Sequence, residues 1–157
     1  MVTEGDREEF QERGYELMIS KILVPIDGSS HAKKAVEYAI DLALKYKATV
    51  YLVHVVSPLP SVPDEEVLQT IEANQELFAK EILEAAAREV KKKGVGNFQS
   101  TVLYGDPAHG ILEFARKNGV DMILMGSRGA GKVETLLLGS VSHRVCHLAE
   151  CTCMTVK

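Results

Sequence analysis

Two segments late in the chain carry the residue types that bind phosphate. The first is Gly126-Ser127-Arg128-Gly129 and the second is Gly139-Ser140-Val141-Ser142. Glycines let backbone N–H groups approach an anion, and a helix N-terminus with serine hydroxyls favours phosphate through its dipole and its unpaired donors. A diphosphate or triphosphate is the natural ligand for such residues, although a glycine loop taken alone is more often only a turn.

A carboxylate follows an apolar run near the start of the chain. The run ends in Val24-Pro25-Ile26-Asp27-Gly28-Ser29, which places Asp27 at the carboxyl end of a strand. An aspartate in this position serves as a helix cap as readily as a ligand. The spacing of the other motifs must decide between the two roles.

The segment from Gly126 to Lys132 comes close to the spacing of a P-loop. The next residue is Val133, whereas a P-loop requires a serine or threonine there to ligate magnesium. The segment also follows the fourth expected strand, and a P-loop usually follows the first. The sequence therefore does not favour a P-loop enzyme.

Strand-type and helix-type patterns alternate around these segments. Five strands are expected at Lys21 to Pro25, Ala48 to Val56, Phe98 to Leu103, Val120 to Met125 and Thr152 to Val156. Helices fill the four intervals, with expected N-caps at Ser29 or Ser30 and at Asp106, and with Asp64, Glu65 and Glu66 at the start of the second helix. This order predicts an α/β fold, a three-layer α/β/α sandwich with a Rossmann-like parallel sheet of order 3-2-1-4-5. Ligands of such sheets bind beyond the carboxyl ends of the strands, where the winding reverses.

Composition limits the class of protein. The chain has 157 residues, of which 46% are hydrophobic, and this predicts one domain over residues 18–157 after a charged extension over residues 1–17. The net charge of -4 favours neither nucleic acid nor an anionic membrane as a partner. A charged N-terminus and the lack of a long apolar run make the cytoplasm the expected location, with the three cysteines reduced.

The spacing of the glycines resembles that of the ATP-binding universal stress proteins. Gly126 and Gly129 are separated by two residues, and nine more precede Gly139-Ser140. The resemblance covers about residues 19–157. It includes four further motifs in the matching order: Val24 to Ser29, Val53 to Val56, Gly105-Asp106-Pro107 and Asp121 to Ser127.

The resemblance implies ATP or ADP, with magnesium or manganese, in the cleft between the first and fourth strands. Asp27 would accept hydrogen bonds from the ribose or help to hold the metal ion, and Val53 would hold adenine through its backbone. The remaining implied nucleotide-binding residues are Pro25 and Ile26 beside the base, Met125 and Gly126 beside the ribose and phosphates, and Ser127, Arg128, Gly129, Gly139, Ser140, Val141 and Ser142 around the phosphates.

The resemblance also implies a homodimer that acts as a nucleotide-dependent regulatory or stress-response binding module. Many relatives have a cysteine-proline step and a continuous Val and Leu run in strand five, whereas this chain has Cys151-Thr152-Cys153-Met154-Thr155-Val156. Dimerisation through that strand is less secure here. The extension over residues 1–17 lies outside the family pattern and is assigned no role.

Three other functions remain open. A slow metal-dependent ATPase or nucleotidyl-transfer enzyme could use the same fold, but the sequence shows no catalytic triad or carboxylate pair, so at most weak ATP hydrolysis is expected. A flavodoxin-like electron carrier lacks well-placed aromatic residues. A metal or redox site would use residues whose spacing matches no known zinc pattern: His143, Cys146, His147, Cys151 and Cys153.

Overall fold

The computed structural model describes residues 19–59, 61, 64–129 and 138–157. The expected extension over residues 1–17 lies outside these residues, as do residues 130–137, which include the last three residues of the P-loop-like segment. The strands are β1 (Lys21–Pro25), β2 (Thr49–Val56), β3 (Phe98–Tyr104), β4 (Met122–Gly126) and β5 (Thr152–Val156). The helices are α1 (Ser30–Tyr46), α2 (Glu65–Lys92), α3 (Pro107–Asn118) and α4 (Ser140–Leu148).

The five strands form one parallel sheet in the order β3-β2-β1-β4-β5. This confirms the predicted fold class and strand order. β1 pairs with β2 from Lys21↔Thr49 to Pro25↔Val53 and with β4 through Ile22↔Met122 and Leu23↔Ile123. Because β1 lies between β2 and β4, the winding reverses there and leaves a crevice at the carboxyl ends of β1 and β4.

Apolar side chains cover both faces of the sheet, as expected for a parallel sheet between helices. On one face Val24 and Leu52 pack against α1 and α2, and on the other Leu23, Val53 and Ile123 pack with α3 and α4. The buried face of α1 consists largely of alanines, which lets the helix lie close to the strands. None of the helices in the described residues is long and apolar enough to cross a membrane.

Local capping sets the helix boundaries that the sequence predicts. The Ser29 side chain accepts from Ala32 N–H at 3.1 Å, and Asp64 and Asp106 cap α2 and α3 in the same manner. β4 begins at Met122 rather than at the expected Val120. The cause is local, because Val120 N–H bonds to Ala115 O at the end of α3.

Candidate functional site

A cavity of about 440 Å³ opens at the carboxyl ends of β1 and β4. Twelve of the residues predicted to bind a nucleotide line it: Pro25, Ile26, Asp27, Val53, Met125, Gly126, Arg128, Gly129, Gly139, Ser140, Val141 and Ser142. They come from β1, β2, β4 and the start of α4, four elements that are distant in sequence. The alternation of strands and helices is what brings them to one edge of the sheet.

Ser127 is the predicted residue that does not line this cavity. Only 1% of it is exposed, and its N–H donates to Val156 O at 2.7 Å. Its carbonyl accepts from Gly139 N–H, also at 2.7 Å, which joins the end of β4 to the start of α4. Among the described residues, none offers a hydrogen-bond partner to Ser127 Oγ.

The N-terminus of α4 forms one end of the cavity. Gly139 is the N-cap and makes no side-chain capping bond. The first turn of any helix leaves its N–H groups without partners inside the helix, and Gly139 contributes no side chain that would cover them. The partial positive charge of this helix end and the half-buried Arg128 favour an anion in the cavity.

The two serines of α4 differ in their availability. Ser142 is buried, and its Oγ donates to Gly126 O at 2.9 Å, so its hydroxyl holds α4 to β4. Ser140 is exposed at the first helical position. Of the two hydroxyls, only that of Ser140 lies on the open side of the site.

The glycines of the loop are required by close contacts. A Cβ at Gly126 would lie 2.8 Å from His31 Cβ and 2.9 Å from Ala32 N, so α1 excludes any larger residue there. A Cβ at Gly129 would lie 2.7 Å from Asp27 Oδ2. The loop backbone therefore touches the carboxylate that the sequence singled out.

Asp27 is held by its own turn. Its Oδ1 accepts from Ser29 N–H at 3.0 Å, while Oδ2 faces Gly129. The carboxylate thus stabilises the turn into α1 and also forms part of the cavity wall. A role in the turn and a place in the cavity wall are therefore compatible for this aspartate.

The end of β2 contributes cavity residues that sequence reasoning missed, namely His54, Val55 and Ser57. Val53 is fully buried and its carbonyl accepts from Ile26 N–H at 2.8 Å, which extends the β1–β2 ladder by one bond. Val55 is half-buried and lies two residues after Val53, so its backbone N–H and C=O also point toward β1. It lies beyond the last hydrogen bond of the β1–β2 ladder. No described residue pairs with its N–H or C=O there. The sequence did carry one sign of this, because the apolar run of β2 is longer than that of β1 and so extends beyond the end of β1.

α3 supplies two further missed residues of the wall, Pro107 and Ile111, and the others are Ala32 of α1 and Leu138. Asp106 caps this helix and also pairs with Arg144 of α4 through two bonds of 3.0 Å. The Arg144 guanidinium, aided by His109 N–H, holds the pKa of Asp106 below its usual value. This ion pair fixes the start of α3 relative to α4.

The cysteine and histidine residues near the C-terminus lie apart from the cavity. Burial raises the pKa of Cys153 to about 12, with a further contribution from Cys146, and burial also raises the pKa of Cys151. His143 and His147 stack with ring centroids 6.3 Å apart on exposed positions of α4. In the described part of the chain, no three His, Cys, Asp or Glu side chains form a metal-binding group.

Known proteins resemble this chain over almost its whole length. A model described as the universal stress protein family matches residues 18–157. A universal stress protein of Methanocaldococcus jannaschii is 35% identical over 147 residues, covering 92% of this chain and 86% of that protein.

Solved structures share the fold. The universal stress protein UspA from Lactobacillus plantarum has a TM-score of 0.83 at 24% identity, covering 90% of this chain and 100% of that one. A universal stress protein from Archaeoglobus fulgidus, solved in complex with dAMP, has a TM-score of 0.66 at 23% identity over 90% of this chain and 100% of that one.

Proposed function

The chain belongs to the universal stress protein family, and we propose that it binds an adenine nucleotide in the cavity between β1 and β4. One observation carries the proposal. A single cavity combines the open N-terminus of α4 with the backbone of Val55, which lies beyond the β1–β2 ladder. The first group suits phosphate and the second suits the polar edge of a base.

The phosphates would lie at the α4 end of the cavity. Backbone N–H groups of Ser140 and Val141 and the hydroxyl of Ser140 supply donors, and Arg128 supplies positive charge. Gly129 adds no side chain of its own to the loop, whose backbone lies close to the Asp27 carboxylate. The triphosphate of ATP or the diphosphate of ADP would use more of these donors than a monophosphate would.

The base would lie at the β2 end of the cavity. Adenine offers an amino donor beside a ring-nitrogen acceptor, which matches one carbonyl and one N–H from the same residue, here Val55. Pro25, Ile26 and Met125 provide apolar surface for the faces of the ring. The dAMP complex of the Archaeoglobus fulgidus relative supports an adenine nucleotide in this fold.

A divalent ion, magnesium or manganese, would bind together with the phosphates. Asp27 is the carboxylate of the cavity wall, and magnesium commonly takes one or two carboxylates while water and phosphate oxygens complete its coordination. The residues present therefore fit a metal that arrives with the nucleotide. Its chemistry would be to neutralise phosphate charge, and Asp27 would help to hold it.

We propose a binding module rather than an efficient enzyme. Among the described residues lining the cavity, Asp27 supplies the carboxylate and His54 the imidazole, and the His54 ring is already bonded to Ile26 O at 2.7 Å. Nucleotide occupancy would then favour one conformation or one partner, and we propose that the protein has this regulatory role in the cytoplasm.

A charge reversal at the phosphate end tests the proposal. Ser140→Asp places a carboxylate at the first position of α4, where it suits the helix dipole but repels phosphate, and we expect ATP affinity to fall at least tenfold. The measurement is isothermal titration calorimetry with ATP, ADP and AMP, with and without Mg²⁺, after analysis of any nucleotide released on denaturing the purified protein.

Ser30→Asp is the matched control for that experiment. Ser30 is also exposed at the first position of a helix, α1, but does not line the cavity. The Ser30→Asp variant should bind ATP with the affinity of the unaltered protein. If the unaltered protein binds no adenine nucleotide, or if both aspartate variants bind equally well, the cavity is not the nucleotide site.

A further inference from the structure

The ladder between β1 and β2 stops one hydrogen bond earlier than the strands allow. Ile26 N–H donates to Val53 O at 2.8 Å, and in a regular parallel pair the next bond would run from Val55 N–H to Ile26 O. The described backbone does not make that bond. The Ile26 carbonyl instead lies 2.7 Å from Nδ1 of His54. Since a carbonyl only accepts, Nδ1 carries the proton.

Two contacts hold the His54 ring in this position. His54 points to the opposite face of the sheet from Val53 and Val55, toward α2, where Phe78 packs edge-on with ring centroids 5.7 Å apart. Phe78 in turn lies against Gly28, where its Cζ is 3.0 Å from the position of a Cβ. Gly28 has φ +82, so both the backbone and the aromatic ring favour glycine there.

We propose that His54 is a positioning residue that keeps the backbone of Val55 available to a ligand. His54 donates to the Ile26 carbonyl, the acceptor that Val55 N–H would use in a regular ladder, and Val55 N–H makes no bond to that oxygen. The N–H and C=O of Val55 then remain together on the cavity side as one donor and one acceptor. This inference rests on the proposed function in taking the ligand to be a nucleotide.

The arrangement makes His54 a determinant of base selectivity, although it acts through Val55. Adenine presents a donor beside an acceptor, whereas hypoxanthine presents a carbonyl beside a ring N–H, which reverses the order. A backbone pair in a set orientation favours one of the two bases, because the other leaves buried polar groups unpaired. Loss of the His54 bond would let the ladder close at Val55 and remove this selection.

Amide hydrogen exchange of the nucleotide-free protein tests the positioning directly. The Val55 amide should exchange rapidly in the unaltered protein and at least tenfold more slowly in His54→Leu, because Ile26 O then accepts from it. His54→Asn retains a donor at the place of Nδ1 and should restore rapid exchange. His147 is an exposed histidine of α4, and the control variant His147→Leu should leave the exchange rate of the Val55 amide unchanged.

Either of two results overturns the inference: a Val55 amide that is already protected in the unaltered protein, or one that His54→Leu leaves unchanged. If the leucine variant does not fold, His54→Ala provides the same comparison. Because this readout needs no ligand, it fails or succeeds independently of the proposed nucleotide binding.

Ligand selectivity provides the second readout. His54→Leu should weaken AMP binding by about tenfold, the size expected for losing one or two net hydrogen bonds, with IMP binding nearly unchanged. His54→Asn should restore the preference for AMP. Equal weakening of AMP and IMP would show a merely structural role for His54 and would contradict the proposal. Failure of the unaltered protein to bind any nucleotide would instead contradict the proposed function.

Discussion

At the scale of single residues, glycines of similar appearance in the sequence have different neighbours. A Cβ at Gly126 would meet the backbone of α1 at Ala32 N, and one at Gly129 would meet the end of the Asp27 side chain. A Cβ at Gly110, within α3, would make ordinary contact with Val55 at 3.6 Å. The cost of adding a methyl group therefore depends on what lies opposite each position.

Gly126→Ala and Gly110→Ala should change stability in opposite directions. The first forces α1 away from β4 and should lower the free energy of unfolding by about 1–3 kcal/mol, as overpacking does. The second removes a helix-destabilising glycine and should raise it by up to about 1 kcal/mol. Urea denaturation of both variants measures the difference. A shift of the same sign in both would contradict the packing described for these two positions.

At the scale of secondary-structure elements, the cavity depends on how α3 and α4 are held together. Asp106 both caps α3 and pairs with Arg144 of α4, so one carboxylate sets the position of two helices that line the cavity. The Ser142 hydroxyl connects α4 to β4 in the same way. These bonds keep the N-terminus of α4 directed at the cavity.

Asp106→Asn and Asp106→Ala should separate capping from ion pairing. The asparagine variant keeps a capping oxygen but loses the charge, so its melting temperature should fall by a few degrees, and that of the alanine variant should fall further. Salt at 1 M should reduce the difference in melting temperature between the unaltered protein and Asp106→Asn, because it screens the ion pair with Arg144. Equal melting temperatures for the two variants at low salt would contradict a separate role for the cap.

The difference in melting temperature between the unaltered protein and Asp106→Asn should depend on pH, because the pKa of Asp106 is lowered in the folded protein. Because the folded-state pKa lies below the ordinary value of 3.8, the stability that the charge contributes is present above this value. It is lost as the pH falls through the folded-state pKa. Thermal melts between pH 7 and the acid limit of folding should show the gap between the unaltered protein and Asp106→Asn closing only at the acid end.

At the scale of the whole molecule, the sheet has β3 and β5 at its edges. Val156 O accepts from Ser127 N–H, and Thr152 N–H donates to Asp121 O. The backbone N–H and C=O groups of even-numbered β5 residues therefore point toward β4, and those of Cys153 and Thr155 point away from the sheet. Outward backbone groups of an edge strand can pair with another chain. We propose that two copies form the expected homodimer through β5.

Thr155→Pro should abolish this dimer without disturbing the fold, because it removes an N–H that points away from β4. Ser100→Pro is the matched control, since Ser100 lies on β3 with its N–H also directed away from the sheet. Size-exclusion chromatography with light scattering should give a monomer for the first and a dimer for the second. An unaltered protein that is monomeric at every concentration would refute the dimer.

The sequence by itself determined the elements, their order and most of the cavity wall. Apolar periodicity and capping residues such as Ser29, Asp64 and Asp106 act within a few residues of chain, so the printed sequence contains the information that sets them. The βα alternation then requires a parallel sheet with its ligand crevice at one edge. The resemblance of the Gly126, Gly129 and Gly139 spacing to that of the universal stress proteins pointed to the residues of that crevice.

Only the tertiary structure decided which atoms of those residues remain available. Ser127 and Ser142 look like phosphate ligands in sequence, yet one carries backbone bonds at the end of β4 and the other donates to Gly126 O. Val53 was the predicted contact, whereas the open backbone is that of Val55. The apolar pattern of one strand does not reveal where the strand paired with it in the sheet ends. The partner of each backbone group depends on the register of β1 against β2 and on a histidine that reaches across the end of β1.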